Sequence, residues 1–120
     1  MPKDSDFNVK IEKLQGVDIF YLSGSLDAHT APVLENSLSK AISGGTNRIV
    51  INFEDLDYIS SAGLGVFMAF IEDVRNFGGD IKLSNMKPKV FSVFDLLGFP
   101  MLFDIVDKQE KAIEKFNQTN

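Results

Sequence analysis

The chain has 120 residues, 44% of them hydrophobic, with 11 Phe and no Trp; this is enough apolar material for one globular domain and excludes a disordered chain. Its 17 acidic and 12 basic residues give a formal net charge of −5, and Lys and Arg are scattered, which argues against the basic patch of a nucleic-acid binder. With no cysteine, disulfides, thiolate metal sites and cysteine nucleophiles are excluded, and a reducing, cytoplasmic setting is expected.

No apolar run approaches the ~18 residues of a membrane span. The start, Met1-Pro2-Lys3-Asp4-Ser5-Asp6, is polar and lacks the apolar stretch of a secretion signal. A single domain over 1–120, with a core of about 7–117, is therefore expected, with no membrane association.

Phe7 to Leu14 alternates apolar with polar residues, the period of a half-buried strand. Gln15-Gly16 offers a turn into a second strand over Val17 to Leu22, predicting a hairpin. Thr30 is placed to cap a helix carrying Leu34, Leu38, Ala41 and Ile42, with Pro32 tolerated in its first turn and Gly44-Gly45 ending it. Arg48 to Phe53 is rich in β-branched residues and reads as a central strand. Val66, Phe67, Phe70, Ile71, Val74 and Phe77 recur at helical spacing and form the strongest helical signal. Gly78-Gly79 introduces another strand, Asp80 to Ser84. Pro88 opens a third helix that places Val90, Phe91, Phe94 and Leu97 inside, and Gly98 stops it. A short strand over Phe103 to Val106 precedes a last helix with Ala112, Ile113 and Phe116, started by a capping-box-like pair, Asp107 and Glu110. Strands alternating with single-striped helices indicate an α/β fold, a sheet with helices packed against it.

The stretch that carries chemistry, Asp55 to Gly65, joins the most strand-like run to the most helix-like one, so Ser60 or Ser61 falls at a helix N-terminus. A serine there serves as an ordinary cap. The same geometry presents free N–H groups and the positive end of the helix dipole, where a phosphate is well tolerated. Ala62 and Gly63 leave the hydroxyl reachable, and Gly65 thins the surface further. Enzymatic chemistry finds little support. His29 is the only histidine, no Gly-x-Ser-x-Gly elbow surrounds the serine, and Asp55 with Asp57 lacks a third metal ligand. No phosphate-binding Gly-x-x-x-x-Gly-Lys loop is present, so no cofactor and no metal are expected.

Asp55-Leu56-Asp57-Tyr58-Ile59-Ser60-Ser61-Ala62-Gly63-Leu64-Gly65-Val66 resembles the signature of anti-sigma factor antagonists of the STAS family. Leu22 to Ala31 resembles the family's Leu-x-Gly-Glu-Leu-Asp and the Thr-Ala that starts its first helix; Val93 to Phe99 is a third, weaker match. The resemblance runs from about Phe7 to Val106. It implies a mixed four- to five-stranded sheet with about four helices packed mainly on one face. It also implies a binding protein whose unphosphorylated form binds an anti-sigma factor that is itself a serine kinase, freeing a sigma factor; a monomer is the default expectation. Phosphorylation ends that binding and a serine phosphatase restores it. The modified serine lies two residues before the first glycine of Gly-Leu-Gly, which is Ser61 here, and the partner surface would comprise Asp27, His29, Thr30, Ser60, Ser61, Gly63 and Leu64, with Leu64 as an apolar contact.

Three departures from the pattern stand out. Ser60 replaces the usual aspartate and is the alternative acceptor, Ala62 replaces a common hydroxyl residue, and Ser25 replaces the usual glutamate. The rival within the same family is a STAS interaction subunit of another signalling or transport assembly, which needs the fold and no phosphate.

Overall fold

The computed structural model describes residues 7–118; the polar start at 1–6 lies outside the described residues. Strand β1 (Phe7–Leu14) and strand β2 (Val17–Leu26) pair antiparallel in register from Phe7↔Gly24 to Leu14↔Val17. Gln15 and Gly16 both have positive φ, 53° and 79°, the two-residue turn whose twist suits a hairpin. Helix α1 (Ala31–Ser43) leads to β3 (Arg48–Ile59), α2 (Ser61–Asn76) to β4 (Asp80–Ser84), and α3 (Pro88–Leu96) with a short 3-10 helix (Phe99–Met101) to β5 (Ile105–Val106). Helix α4 (Gln109–Asn117) follows. The sheet order is β1-β2-β3-β4-β5, and every pair after the hairpin is parallel. This is the mixed five-stranded sheet that the resemblance implies.

Right-handed crossovers between successive parallel strands put their helices on one face. The large core lies there: Phe20, Ile49, Ile51, Phe53, Ile81 and Leu83 from the strands meet Leu34 and Leu38 of α1, Phe67 and Val74 of α2, and Phe94 of α3. Aromatic contacts run from Phe53 through Phe94 and Phe99 to Phe103, with ring centroids 5.2–5.3 Å apart at each step. The alternate strand residues point the other way. Val17, Ile19 and Val50 form a second, smaller core with Ala112 and Ile113 of α4, so three helices cover one face and the fourth covers part of the other.

The strands that bear the site run further than their composition suggests. β2 reaches Leu26 rather than Leu22, and β3 reaches Ile59 rather than Phe53. Register shifts between Tyr21/Ser23 and Gly24/Ser25 break the two-residue alternation, which leaves Leu56 and Ile59 buried at three-residue spacing. Phe77, Phe91 and Leu97 are exposed, contrary to the helical stripes: Phe77 and Leu97 occupy C-cap positions past the last core-facing turn. The expected capping box of Asp107 and Glu110 does not form, because α4 starts one residue later, with Lys108 at the cap position and no side-chain cap bond.

One buried cation ties β4, β5 and α4 together. Lys82 Nζ lies 2.8 Å from Asp104 Oδ2, 3.0 Å from Asp80 Oδ2 and 4.8 Å from the centre of the Phe116 ring. Burial opposes its charge, but the hydrogen bonds to Asp104 and Asp80 prevail and hold its pKa above the ordinary lysine value. The Lys82 hydrogen bond in turn holds the Asp104 carboxyl below the usual carboxylate range. A carboxylate depressed in the fold stabilises it above the unfolded pKa, and that contribution is lost as pH falls. The lysine contribution persists through neutral pH and goes only above about pH 10. Thermal melts between pH 7 and pH 3 are therefore expected to show stability dropping below about pH 4. Asp104→Asn should melt lower at pH 7 and decline less steeply with acid; equal acid dependence in the two proteins would remove this ion cluster from the account.

Candidate functional site

The long pairing of β2 with β3 brings two distant segments to one edge of the molecule. Ser25 pairs with Tyr58 and Leu26 with Ile59, so the loop after β2 and the start of α2 emerge side by side. The Ser60 N–H donates to the Leu26 carbonyl at 2.9 Å and extends the contact one residue past the strands.

In the loop, Asp27 Oδ1 accepts the backbone N–H groups of His29 (3.0 Å) and Thr30 (3.1 Å). The Thr30 hydroxyl donates to the Ser25 carbonyl at 2.8 Å and accepts the Asp27 N–H at 3.0 Å. Thr30 thus does not cap α1 with its side chain, as its position suggested; it is a buried lock inside the loop. Asp27 and the exposed His29 form the outer rim.

At the start of α2, Ser60 is the N-cap in an extended conformation, and its hydroxyl oxygen accepts the Gly63 N–H at 3.5 Å, a long bond. Ser61 is the first residue of the helix and is exposed, as is Ala62. The first turn of a helix lacks intrahelical acceptors for its N–H groups, and here the Ser60 hydroxyl takes only the Gly63 N–H, so negative charge placed on Ser61 meets the positive end of the dipole. Gly63 is buried: a Cβ there would stand 2.8 Å from Leu26 Cγ and 3.1 Å from Ile59 Cγ1. Leu64, expected on the partner surface, is only 2% exposed and packs in the large core, because it lies on the same helical stripe as Phe67 and Ile71. The expected residues therefore divide: Asp27, His29, Ser60 and Ser61 come together at the surface, whereas Thr30, Gly63 and Leu64 support them from beneath.

Three neighbours of the site, Lys87, Tyr58 and Met68, carry no mark in the local sequence pattern. Lys87, just before α3, bonds Asp57 Oδ1 at 2.8 Å and the Leu56 carbonyl at 3.4 Å, bracing the protruding end of β3. That hydrogen bond holds the Asp57 carboxyl below its ordinary range. Tyr58 is exposed on the strand and Met68 on α2. Nothing in local spacing links Lys87 to Asp57, which are 30 residues apart. A cleft of about 580 Å³ is lined by residues including Lys10, Tyr21, Ser23 and Asp55 and contains none of the expected site residues. Among the described residues, no three His, Asp or Glu side chains gather as a metal site. No described helix is long and apolar enough to cross a membrane.

The sequence model of the STAS domain matches residues 8–112. The chain belongs to the STAS domain family. It is 34% identical over 106 residues to the BtrV protein of Bordetella bronchiseptica, across 88% of this chain and 91% of that one. It is 29% identical over 109 residues to the anti-sigma-B factor antagonist of Bacillus subtilis, across 91% of this chain and 99% of that one. The structure of the Bacillus cell fate determinant SpoIIAA in its phosphorylated form has the same fold, with a TM-score of 0.71 at 24% identity, over 92% of this chain and 100% of that one.

Gly63→Ala tests how the STAS seam is built. Overpacking of this kind costs about 1–3 kcal/mol, and the variant is expected to melt several degrees lower. An unchanged melting temperature would show that Leu26 and Ile59 yield freely and that the seam is loose.

Proposed function

We propose that the protein is an anti-sigma factor antagonist working by partner switching. Its unphosphorylated form binds an anti-sigma factor through Asp27, His29, Ser60, Ser61 and the exposed start of α2, and so frees a sigma factor. The anti-sigma factor is also a serine kinase. It transfers the γ-phosphoryl group of ATP to Ser61 Oγ; the bond to the β-phosphate oxygen breaks, ADP departs and the hydroxyl proton is released. A serine phosphatase hydrolyses the ester and restores binding. The protein itself is a binding partner and not an enzyme, acting as a monomer in the bacterial cytoplasm without contact to DNA.

The observation that carries this reading is the different placement of the two serines. Ser60 is half-buried with its hydroxyl turned to the Gly63 N–H, while Ser61 stands exposed at the first position of α2. Support comes from the Bacillus subtilis relative, which is named an anti-sigma-B factor antagonist, and from SpoIIAA, whose structure is known in a phosphorylated form. Phosphate adds about −1.5 to −2 charges at neutral pH. At a helix N-terminus such charge is stabilised by up to ~1 kcal/mol, so the fold is kept while the docking surface changes character.

Intact-protein mass spectrometry after incubation with ATP, Mg²⁺ and the cognate kinase tests the acceptor. One phosphate is expected on wild type and on Ser60→Ala, and none on Ser61→Ala. The phosphorylated chain should bind the anti-sigma factor at least about tenfold more weakly, a difference of ~1.4 kcal/mol. Phosphorylation that survives Ser61→Ala would move the acceptor. Equal affinity with and without phosphate would favour the constitutive interaction subunit instead.

A further inference from the structure

The edge that displays Ser61 holds no Lys or Arg of its own. Neither residue occurs between Lys13 and Lys40, or between Arg48 and Arg75, and the two segments that meet at the seam lie inside those stretches. The charged groups on the surrounding elements are acidic or already engaged. Asp27 lies in the loop, and Glu35 is one turn into α1. Asp57, at the end of β3, is bonded by Lys87, with Lys89 close enough to act on it as well. Helix α2 brings no charge before Glu72. His29 is the one side chain of this edge that can become a cation, and it is the only histidine in the chain.

A second observation is how His29 is held. Its backbone N–H donates to Asp27 Oδ1 at 3.0 Å, and the Thr30 hydroxyl locks the same loop by donating to the Ser25 carbonyl at 2.8 Å. The N–H groups of His29 and Thr30 turn Asp27 Oδ1 into the loop. The imidazole itself is exposed and, among the described residues, makes no hydrogen bond or ion pair. The loop is tied to the start of α2 by the Ser60 N–H on the Leu26 carbonyl, and His29 and Ser61 lie three residues and one residue from that bond. A fixed backbone thus carries an unengaged imidazole beside the exposed hydroxyl.

We propose that the imidazolium of His29 is the counter-ion of a phosphate on Ser61, a clasp across the seam that exists only in the phosphorylated chain and only while His29 carries its proton. The clasp rests on the phosphorylation reading above and adds a proton input to the same switch. Histidine side chains and phosphoserine both titrate near neutral pH, the phosphate losing its second proton at about pH 6. Each charge favours the other. The clasp is therefore strongest where imidazolium and phosphate dianion coexist, at about pH 6–7, and is lost as pH rises and the imidazole gives up its proton. The N-terminus of α2 offers the phosphate a partial positive charge that is the same at every pH. His29 offers one that a change of pH removes.

Phosphorus-31 NMR titration of the chain phosphorylated on Ser61 by its cognate kinase, at low ionic strength, tests the pair with no partner present. In wild type the second phosphate proton is expected to leave at least about 0.5 pH unit lower than in His29→Gln. His29→Arg, a cation at every pH, should shift the phosphate at least as far as wild type does. Coincident wild-type and His29→Gln curves would overturn the clasp, as would an Arg variant that titrates like the Gln variant. Intact mass keeps this apart from failure of the underlying reading. If Ser61 takes no phosphate, the modification reading falls and the clasp falls with it; a phosphate on Ser61 that is indifferent to the side chain at position 29 removes the clasp alone.

Discussion

Close backbone approach at Gly63 is the constraint on which the rest of the site depends. With no side chain there, the first turn of α2 seats against Leu26 and Ile59, at the ends of two adjacent strands. Ser60 donates its N–H to the Leu26 carbonyl across the same seam. These contacts fix where the helix begins and which way it is rotated. Leu64 is turned into the core and Ser61 outward, so one buried glycine decides which hydroxyl the surface displays. The loop from Asp27 to Thr30 is held beside it by its own side-chain bonds and needs no help from a partner to take shape.

A site assembled in this way suits a switch that acts on recognition and leaves the fold alone. Ser61, the position proposed for modification, is the first residue of a sixteen-residue helix anchored by Val66, Phe67, Ile71 and Val74 in the large core. Local charge at the helix end is compatible with that anchoring, so under the proposed switch the free energy of modification would be expressed in binding. The other end of the molecule has a different character. Leu96, Leu97, Met101 and Leu102 form an exposed apolar tip after α3. It is separate from Ser61, and nothing in the structure shows what covers it.

Much of the fold was legible because each element has one apolar stripe of the right period. The hairpin at Gln15-Gly16, the end of α1 at Gly44-Gly45 and the stripe of α2 are local signals, and local signals survive in a sequence. The ends of β2 and β3 were not legible, because bulges convert a two-residue alternation into the three-residue spacing of Phe53, Leu56 and Ile59. Leu64 illustrates a different failure. Read as part of a loop it looks available to a partner, yet it stands three and seven residues before Phe67 and Ile71, on the stripe that the helix buries. Thr30 was legible as a hydroxyl at a helix start but not as a loop lock, since its partners depend on how the chain turns after Leu26. The Lys87–Asp57 pair crosses between elements, and no local pattern marks it.

The central claim is that the edge formed by the Asp27–Thr30 loop and the first half of α2 is the docking face, and that phosphate on Ser61 closes it. Amide NMR spectra of the isotope-labelled chain, recorded with the unlabelled anti-sigma factor before and after phosphorylation, test it most directly. Shifts or broadening are expected to concentrate at 27–30 and 60–69 with the unphosphorylated chain and to disappear with the phosphorylated one. Changes centred on the Leu96–Leu102 tip, or changes at 60–69 that persist unaltered in the phosphorylated chain, would contradict it.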